Sequence, residues 1–175
     1  VYSGGMGMGN INKEALKITI EKLLSCDSNN RMLFLTQVSK KYIKNFMAEI
    51  GVENSKFKII APSLESIPQW LSASDLGIHA LPSQPDSETR LGTKIIEYWA
   101  CGLPVVVNRY VGAAVKLIRK NNIGFVINDL ESSNKQNYKK ELKKLIKIDR
   151  YEITNFAKKN FSSKLIAKKY LSLFP

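Results

Sequence analysis

The chain has 175 residues, 44 % of them apolar, with a net charge of +12, two cysteines and one histidine. This length and apolar share fit one domain with its own core, within the usual range of about 100–200 residues. So few histidines and cysteines argue against a zinc site or a Ser-His-Asp triad built within the chain. Cys26 and Cys101 have no metal-ligand spacing between them and read as reduced structural thiols of a cytoplasmic protein. No apolar run approaches the ~18–20 residues of a membrane span, and no basic segment followed by a hydrophobic stretch opens the chain. A soluble, unsecreted protein is expected.

Short β-branched runs alternate with longer stretches of helical period. Strands are predicted over 1–3, 32–38, 57–61, 76–81, 105–108 and 125–127, and helices near 12–25, 40–50, 64–73, 93–101 and 112–121. Helices near 134–147, 151–158 and 162–173 close the chain. Such alternation predicts an α/β fold, a Rossmann-like doubly wound parallel sheet of six strands with C-terminal helices. Ligands of such sheets bind outside the carboxyl ends of the strands, where the strand order reverses. The chain opens directly on a strand without a lead-in, which is expected of a domain cut from a larger protein.

VYSGGMGMGN follows the first strand and precedes a helix, the position of a dinucleotide fingerprint. Counting from Gly5 and Gly7, the pattern needs a glycine at 10, where Asn10 stands, and the second strand MLFLTQV ends without an acid for a ribose. A nicotinamide dehydrogenase is therefore not expected. Gly4 and Gly5 can still bring backbone N–H groups close to an anion, with Lys13 adding a point charge at the helix start. The alternative is a flexible turn and a solvated lysine.

In TRLGTKIIEYWACGLPVVV, residues 89–107, Gly92 would start a helix with Thr93 and Lys94 in its first turn. Thr93 and Glu97 are i and i+4 and share a face. First-turn amides and Lys94 suit phosphates, and an acceptor-only carboxylate at Glu97 suits the vicinal hydroxyls of a ribose. Gly102 is placed for a left-handed cap, and Pro104 prevents continuation. The alternative is a surface pair between Lys94 and Glu97. PDSE at 85–88 is a short acidic loop with no second ligand cluster, so no metal is expected. His79, on the strand before the site loop, reads as a packed residue, with contact to a ligand as the alternative.

Residues 135–175 hold twelve Lys/Arg against three Asp/Glu, which is +9 of the total charge. In YKKELKKLIKI the apolar Tyr138, Leu142, Leu145 and Ile146 recur at helical spacing, with lysines on the other face. This is a solvated helix face, or a weak attachment to an anionic membrane surface. No aromatics are interleaved with the lysines as a nucleic-acid stacking platform requires, so no specific nucleic acid is expected.

The run from SDLGIHALPSQ through LGTKIIEYWACGLPVVV to IGFVIN resembles the donor-binding half of GT-B retaining glycosyltransferases of the group 1 family. The resemblance extends upstream through IPQWLSASD to VYSGG and downstream to NFAKKNFSSKLIAKKYLSLF, and so covers essentially the whole chain. It implies one domain over 1–175, the C-terminal half of a longer two-domain enzyme whose acceptor domain precedes it. It implies a nucleotide-diphosphate sugar as donor, no metal or other cofactor, and work in cell-surface polysaccharide or lipid-linked oligosaccharide synthesis. The place implied is the cytoplasm or the inner face of the membrane. The isolated domain should bind donor and turn over little.

Residue by residue, Glu97 matches the second acid of the family's Glu, seven residues, Glu motif and implies a hold on the donor ribose. Gly92 and Thr93 match the loop and helix start facing the donor phosphates. Gly4 and Gly5 lie where the first loop nears the diphosphate, and Lys13 is similar to a phosphate-binding lysine. Glu97, Lys94 and Lys13 are thus the implied catalytic set, and Pro62, Ser63, Leu64 and Ile67, in the loop after Ala61, are candidates for the base pocket. Two departures stand out. Thr89 occupies the place of the first acid, with Glu88 one position off, which leaves the sugar contact unassigned. The family's arginine in the first loop is absent, so phosphate charge falls to Lys13, Lys94, Arg90 or backbone amides. A nucleotide-sugar epimerase would show a different carboxylate and histidine pattern. A non-catalytic nucleotide-binding or interaction module of the same fold is the other alternative.

Overall fold

In a computed structural model, residues 1–6, 10–127 and 135–174 are described, the side chains of residues 10–12 and 135 excepted. The elements are β1 (Tyr2–Ser3), α1 (Asn10–Cys26), β2 (Met32–Leu35), α2 (Lys40–Glu49), β3 (Phe57–Ile60), α3 (Ile67–Ser72) and β4 (Gly77–His79). They continue as α4 (Thr93–Ala100), β5 (Val105–Asn108), α5 (Gly112–Asn121), β6 (Gly124–Ile127), α6 (Lys135–Leu145), α7 (Arg150–Phe161) and α8 (Ser163–Leu171). The rest of the glycine loop and the start predicted for α6, residue 134, lie outside the described residues.

All strand pairs are parallel, β1-β2-β3 on one side and β4-β5-β6 on the other. β1 lies beside β4, where the Ile78 N–H donates to the Val1 carbonyl at 2.8 Å. The order across the molecule is therefore β3-β2-β1-β4-β5-β6, which reverses between β1 and β4. Alternation along β5 shows how both faces are covered. Val105 and Val107 face a core built with α4, α5 and α7, while Val106 faces a second core with α1, α2 and α6. A fully buried β-branched run of this kind belongs in the centre of a parallel sheet.

Three features differ from the sequence-based expectation. The sheet is two three-stranded ladders, because two residues beyond the Val1 bond the Ser3 N–H donates to the Tyr98 hydroxyl and not to β4. The predicted strand 76–81 pairs only over Gly77–His79. Beyond it the Asn108 side chain replaces the ladder, accepting from the Leu81 N–H at 3.2 Å and donating to the Leu81 carbonyl at 2.6 Å. The predicted helix 64–73 is a 3-10 turn, Leu64–Ser66, followed by α3, with Pro68 in the first turn of α3, where its missing N–H costs no ladder bond.

Helix α4 ends as its sequence requires. Gly102 takes φ +71°, its N–H donates to the Trp99 carbonyl, and the Leu103 N–H donates to the Tyr98 carbonyl, both at 2.9 Å. These are the two bonds of a Schellman cap. The next residues are then free to enter β5.

Candidate functional site

The strand reversal opens a crevice at the carboxyl ends of β1 and β4. On one wall, β1 delivers Gly4 at φ +137°, with its N–H held by the Leu35 carbonyl at 3.0 Å, and the Tyr2 hydroxyl donates to the Gly5 carbonyl at 2.6 Å. A cleft of about 610 Å³ runs from there, lined by Gly4, Gly5, Thr36, Gln37, Pro62, Ser63, Leu64, Ile67 and Lys94. Gln37 closes its far side by donating to the Pro62 carbonyl at 3.1 Å. Leu64 is 80 % exposed at the mouth, a large apolar side chain with no protein cover over most of its surface.

On the other wall stands α4. Gly92 is its N-cap and no side chain caps it; the Ile95 N–H turns back to the Gly92 carbonyl at 2.9 Å, which leaves the Thr93 and Lys94 amides for a ligand or water. Those amides and the helix dipole favour an anion. The Lys94 Nζ lies 2.8 and 3.1 Å from the two carboxylate oxygens of Glu97. Its Cε lies 3.8 Å from where a Cβ on Gly4 would sit, so Lys94 spans the crevice and reaches the opposite loop. Both side chains of the pair are partly exposed, at 32 and 42 %. That exposure leaves each within reach of a bound molecule.

His79 packs beneath this helix start. Its Nε2 lies 2.5 Å from where a Cβ on Gly92 would be, so only glycine fits there. Among the described residues, this Nε2 is the one buried side-chain nitrogen or oxygen with no hydrogen-bond partner. Burial holds its pKa at about 4, so the imidazole is neutral near pH 7.

The loop between β4 and α4 is tied down from within. The buried Ser87 hydroxyl accepts from the Gln84 N–H at 2.8 Å and donates to the Pro82 carbonyl at 3.3 Å. Glu88 and Thr89 sit exposed on the 3-10 turn Ser87–Thr89. Arg90 is bonded to Asp86 at 2.8 Å, and its carbonyl accepts from the Ala113 N–H at 3.2 Å, which fixes the loop to the start of α5. Lys13 lies on α1, paired with Glu49 at 3.0 Å. Hydrogen bonds from Lys17 and Lys13 hold the Glu49 carboxyl below its usual range.

The structure thus gathers Gly4, Gly5, Ser63, Leu64, Ile67 and Lys94 around one cleft, with Gly92, Thr93 and Glu97 beside it on α4. Glu88, Thr89, Arg90 and Lys13 do not line that cleft. Two residues were missed from sequence. Asn108 is a polar residue ending an otherwise apolar strand, a signal that was legible. Tyr98 lies in the buried stripe of α4 and reads as core. A larger cavity, about 980 Å³, opens at the amino ends of the strands among Leu23, Arg31, Trp70 and Leu142. It lies at the wrong end of the sheet for the ligands of an open α/β fold and shares no lining residue with the cleft beside Gly4 and Lys94. Among the described residues no three His, Cys, Asp or Glu side chains group as metal ligands, and no helix is long and apolar enough to cross a membrane.

Residues 3–150 match the family described as glycosyl transferases group 1. No curated protein matches the sequence. Three solved structures are similar in fold. WaaG, a glycosyltransferase involved in lipopolysaccharide biosynthesis, superposes with a TM-score of 0.68 at 20 % identity, over 96 % of this chain and 45 % of its own. HepE of Anabaena, solved with UDP-glucose, gives 0.64 at 22 % identity over 98 and 48 %. A glycosyltransferase from Rickettsia africae gives 0.63 at 22 % over 98 and 46 %. The chain therefore spans about half the length of each, and at these identities the likeness shows one half of a GT-B fold.

Proposed function

Because the chain belongs to the glycosyl transferases group 1 family, we propose that it is the donor-binding half of an enzyme transferring a sugar from a nucleoside diphosphate with retention of configuration. The observation that carries this is the Lys94–Glu97 pair on α4, aimed across the crevice at the Gly4–Gly5 loop. HepE, with the same half-fold, was solved with UDP-glucose, which supports a sugar nucleotide as the ligand class. The acceptor half precedes this chain, and cell-surface polysaccharide or lipid-linked oligosaccharide is the product class.

The difficult step is departure of the diphosphate from the anomeric carbon. In the free protein Lys94 is neutralised by Glu97. A donor separates the pair, its phosphate taking the ammonium and its ribose hydroxyls the carboxylate. Charge that develops on the leaving oxygen then meets Lys94 and the uncapped amides of α4, which are already oriented before the bond breaks. Preorganised donors of this kind are each worth on the order of 10²–10³ in rate. The cleft with Leu64 at its mouth takes the base. All of the charge stabilisation in this reading comes from protein groups.

Calorimetric titration with UDP, GDP and ADP tests it. Saturable binding of one of them is the expected result and names the base. A folded chain that binds none of the three would overturn the reading.

The exposed Ile166, Tyr170, Leu171, Leu173 and Phe174 lie among lysines on and just after α8, and α6 adds a further lysine face. This composition fits the surface of an anionic bilayer, where each basic residue contributes about 1 kcal/mol. Co-sedimentation with phosphatidylglycerol vesicles should be strong at low salt and largely lost near 1 M salt, where the screening length is about 3 Å. Equal sedimentation with phosphatidylcholine vesicles would contradict an electrostatic attachment.

A further inference from the structure

β1 and β4 pair at one point and part at the next. The Ile78 N–H reaches the Val1 carbonyl at 2.8 Å, but two residues along β1 the Tyr98 hydroxyl stands in the gap. It accepts from the Ser3 N–H at 2.8 Å and donates to the Ile78 carbonyl at 3.4 Å. A hydroxyl relay of two bonds thus stands where a direct N–H···O bond of about 2.9 Å would draw the strands together. The ring reaches this place because residue 77 is glycine. A Cβ on Gly77 would lie 2.5 Å from the ring Cδ2 of Tyr98, which is itself fully buried.

Two neighbours of this wedge belong to the cleft. Gly4 directly follows Ser3 and forms one wall. Lys94 lies one helical turn before Tyr98, on the same face of α4, and its Cε comes to 3.8 Å from the Cβ position of Gly4. The side chain that parts the strands is thus tied to both walls, to Gly4 through Ser3 and to Lys94 along α4. We infer that Tyr98 is a positioning residue for the diphosphate, its hydroxyl holding β1 and β4 apart so that the Gly4–Gly5 loop and Lys94 face each other at the width of the phosphates. This rests on the nucleoside-diphosphate reading of the cleft.

Removing only the hydroxyl is informative, because Ser3 and Ile78 then have each other as the available partners and the strands can close. Tyr98→Phe should keep the ring packing and a melting temperature near that of the parent. It should weaken binding of the preferred nucleoside diphosphate about tenfold, the scale of one lost charge-assisted hydrogen bond. Binding of the matching nucleoside, which uses the base and ribose parts of the cleft, should change by less than twofold. Gly77→Ala, which pushes the ring from the other side, should give the same diphosphate-selective loss in the fraction that folds. Equal affinity of parent and Tyr98→Phe for the nucleoside diphosphate would overturn the inference and leave the site intact. So would a loss shared equally by nucleoside and nucleoside diphosphate together with a fall in melting temperature, which marks a purely structural role. A parent chain that binds no nucleotide would overturn the site reading itself, and the inference with it.

Discussion

Glu97→Ala should weaken a nucleoside and its diphosphate about tenfold or more while leaving inorganic pyrophosphate bound as tightly as before, or more tightly. Lys94→Ala should weaken pyrophosphate and the nucleoside diphosphate while leaving the nucleoside bound as before. The split follows from the pair in the free protein, where one carboxylate holds one ammonium at 2.8 Å on a partly exposed helix face. Exposed pairs of this kind contribute only about 0–1 kcal/mol, so separating them costs a ligand little. What each partner then gives the ligand is a charged hydrogen bond, worth about 1.5–3 kcal/mol, which is tenfold or more in affinity. Loss of Glu97 removes the acceptor for the ribose hydroxyls, yet it also frees Lys94 for phosphate. Loss of Lys94 removes a phosphate donor and leaves the carboxylate beside the anion, an added repulsion. Calorimetry of both variants with nucleoside, nucleoside diphosphate and pyrophosphate separates the two effects. If both variants lost nucleoside and pyrophosphate binding in equal measure, the division of labour along α4 would be wrong.

Why this helix could be read in advance, while its setting could not, lies in the range of the interactions involved. VVVN, the Gly102 cap and the 3.6-residue stripe of Ile95, Tyr98 and Trp99 are local signals, and β5 and the end of α4 follow them. Lys94 and Glu97 are three residues apart on one helix, so their meeting needs only the helix. The parting of β1 from β4 is different in kind. It depends on a hydroxyl at 98 meeting an amide at 3 across a glycine at 77, three positions that no local pattern links. Nothing in the periodicity of α4 distinguishes a tyrosine that only packs from one that inserts its oxygen between strands. Lys13 shows the same limit. The glycine loop before it suggests a phosphate contact, whereas the acid bonded to it in the free chain, Glu49, is 36 residues away on α2. The tie between Arg90 and Asp86 was four residues long and in principle legible. It was hidden because the loop lacks helical period until Thr93.

The strongest effect on stability is expected at Trp99. Trp99→Ala should cost about 3–5 kcal/mol, as deletion of a buried aromatic side chain does, and lower the melting temperature by roughly 6–20 °C for a chain of this size. The indole is fully buried. It meets Phe156 edge-on at 5.4 Å and stacks on Phe161 at 6.0 Å, both on α7. Its Nε1 donates to the Ile123 carbonyl at 3.2 Å, just before β6. Trp99→Phe separates these contributions, since it keeps most of the ring contact and loses the donor, and it should cost about 0.5–1.5 kcal/mol, because the Ile123 carbonyl still accepts from the Val105 N–H at 3.3 Å. The position also matters for the site. Tyr98 ties α4 to the strands and Trp99, the next residue, ties it to α7, so the helix carrying Lys94 and Glu97 is held from two directions. Without the indole, α7 loses its main aromatic contact while the bonds from Tyr98 to Ser3 and Ile78 remain. Hydrogen exchange should therefore quicken first in α7 and only later in β1 and β4. A melting temperature within a degree or two of the parent would mean that α7 is held by contacts other than this aromatic cluster. Uniformly faster exchange in both regions would instead make α4 and α7 a single cooperative unit with the sheet.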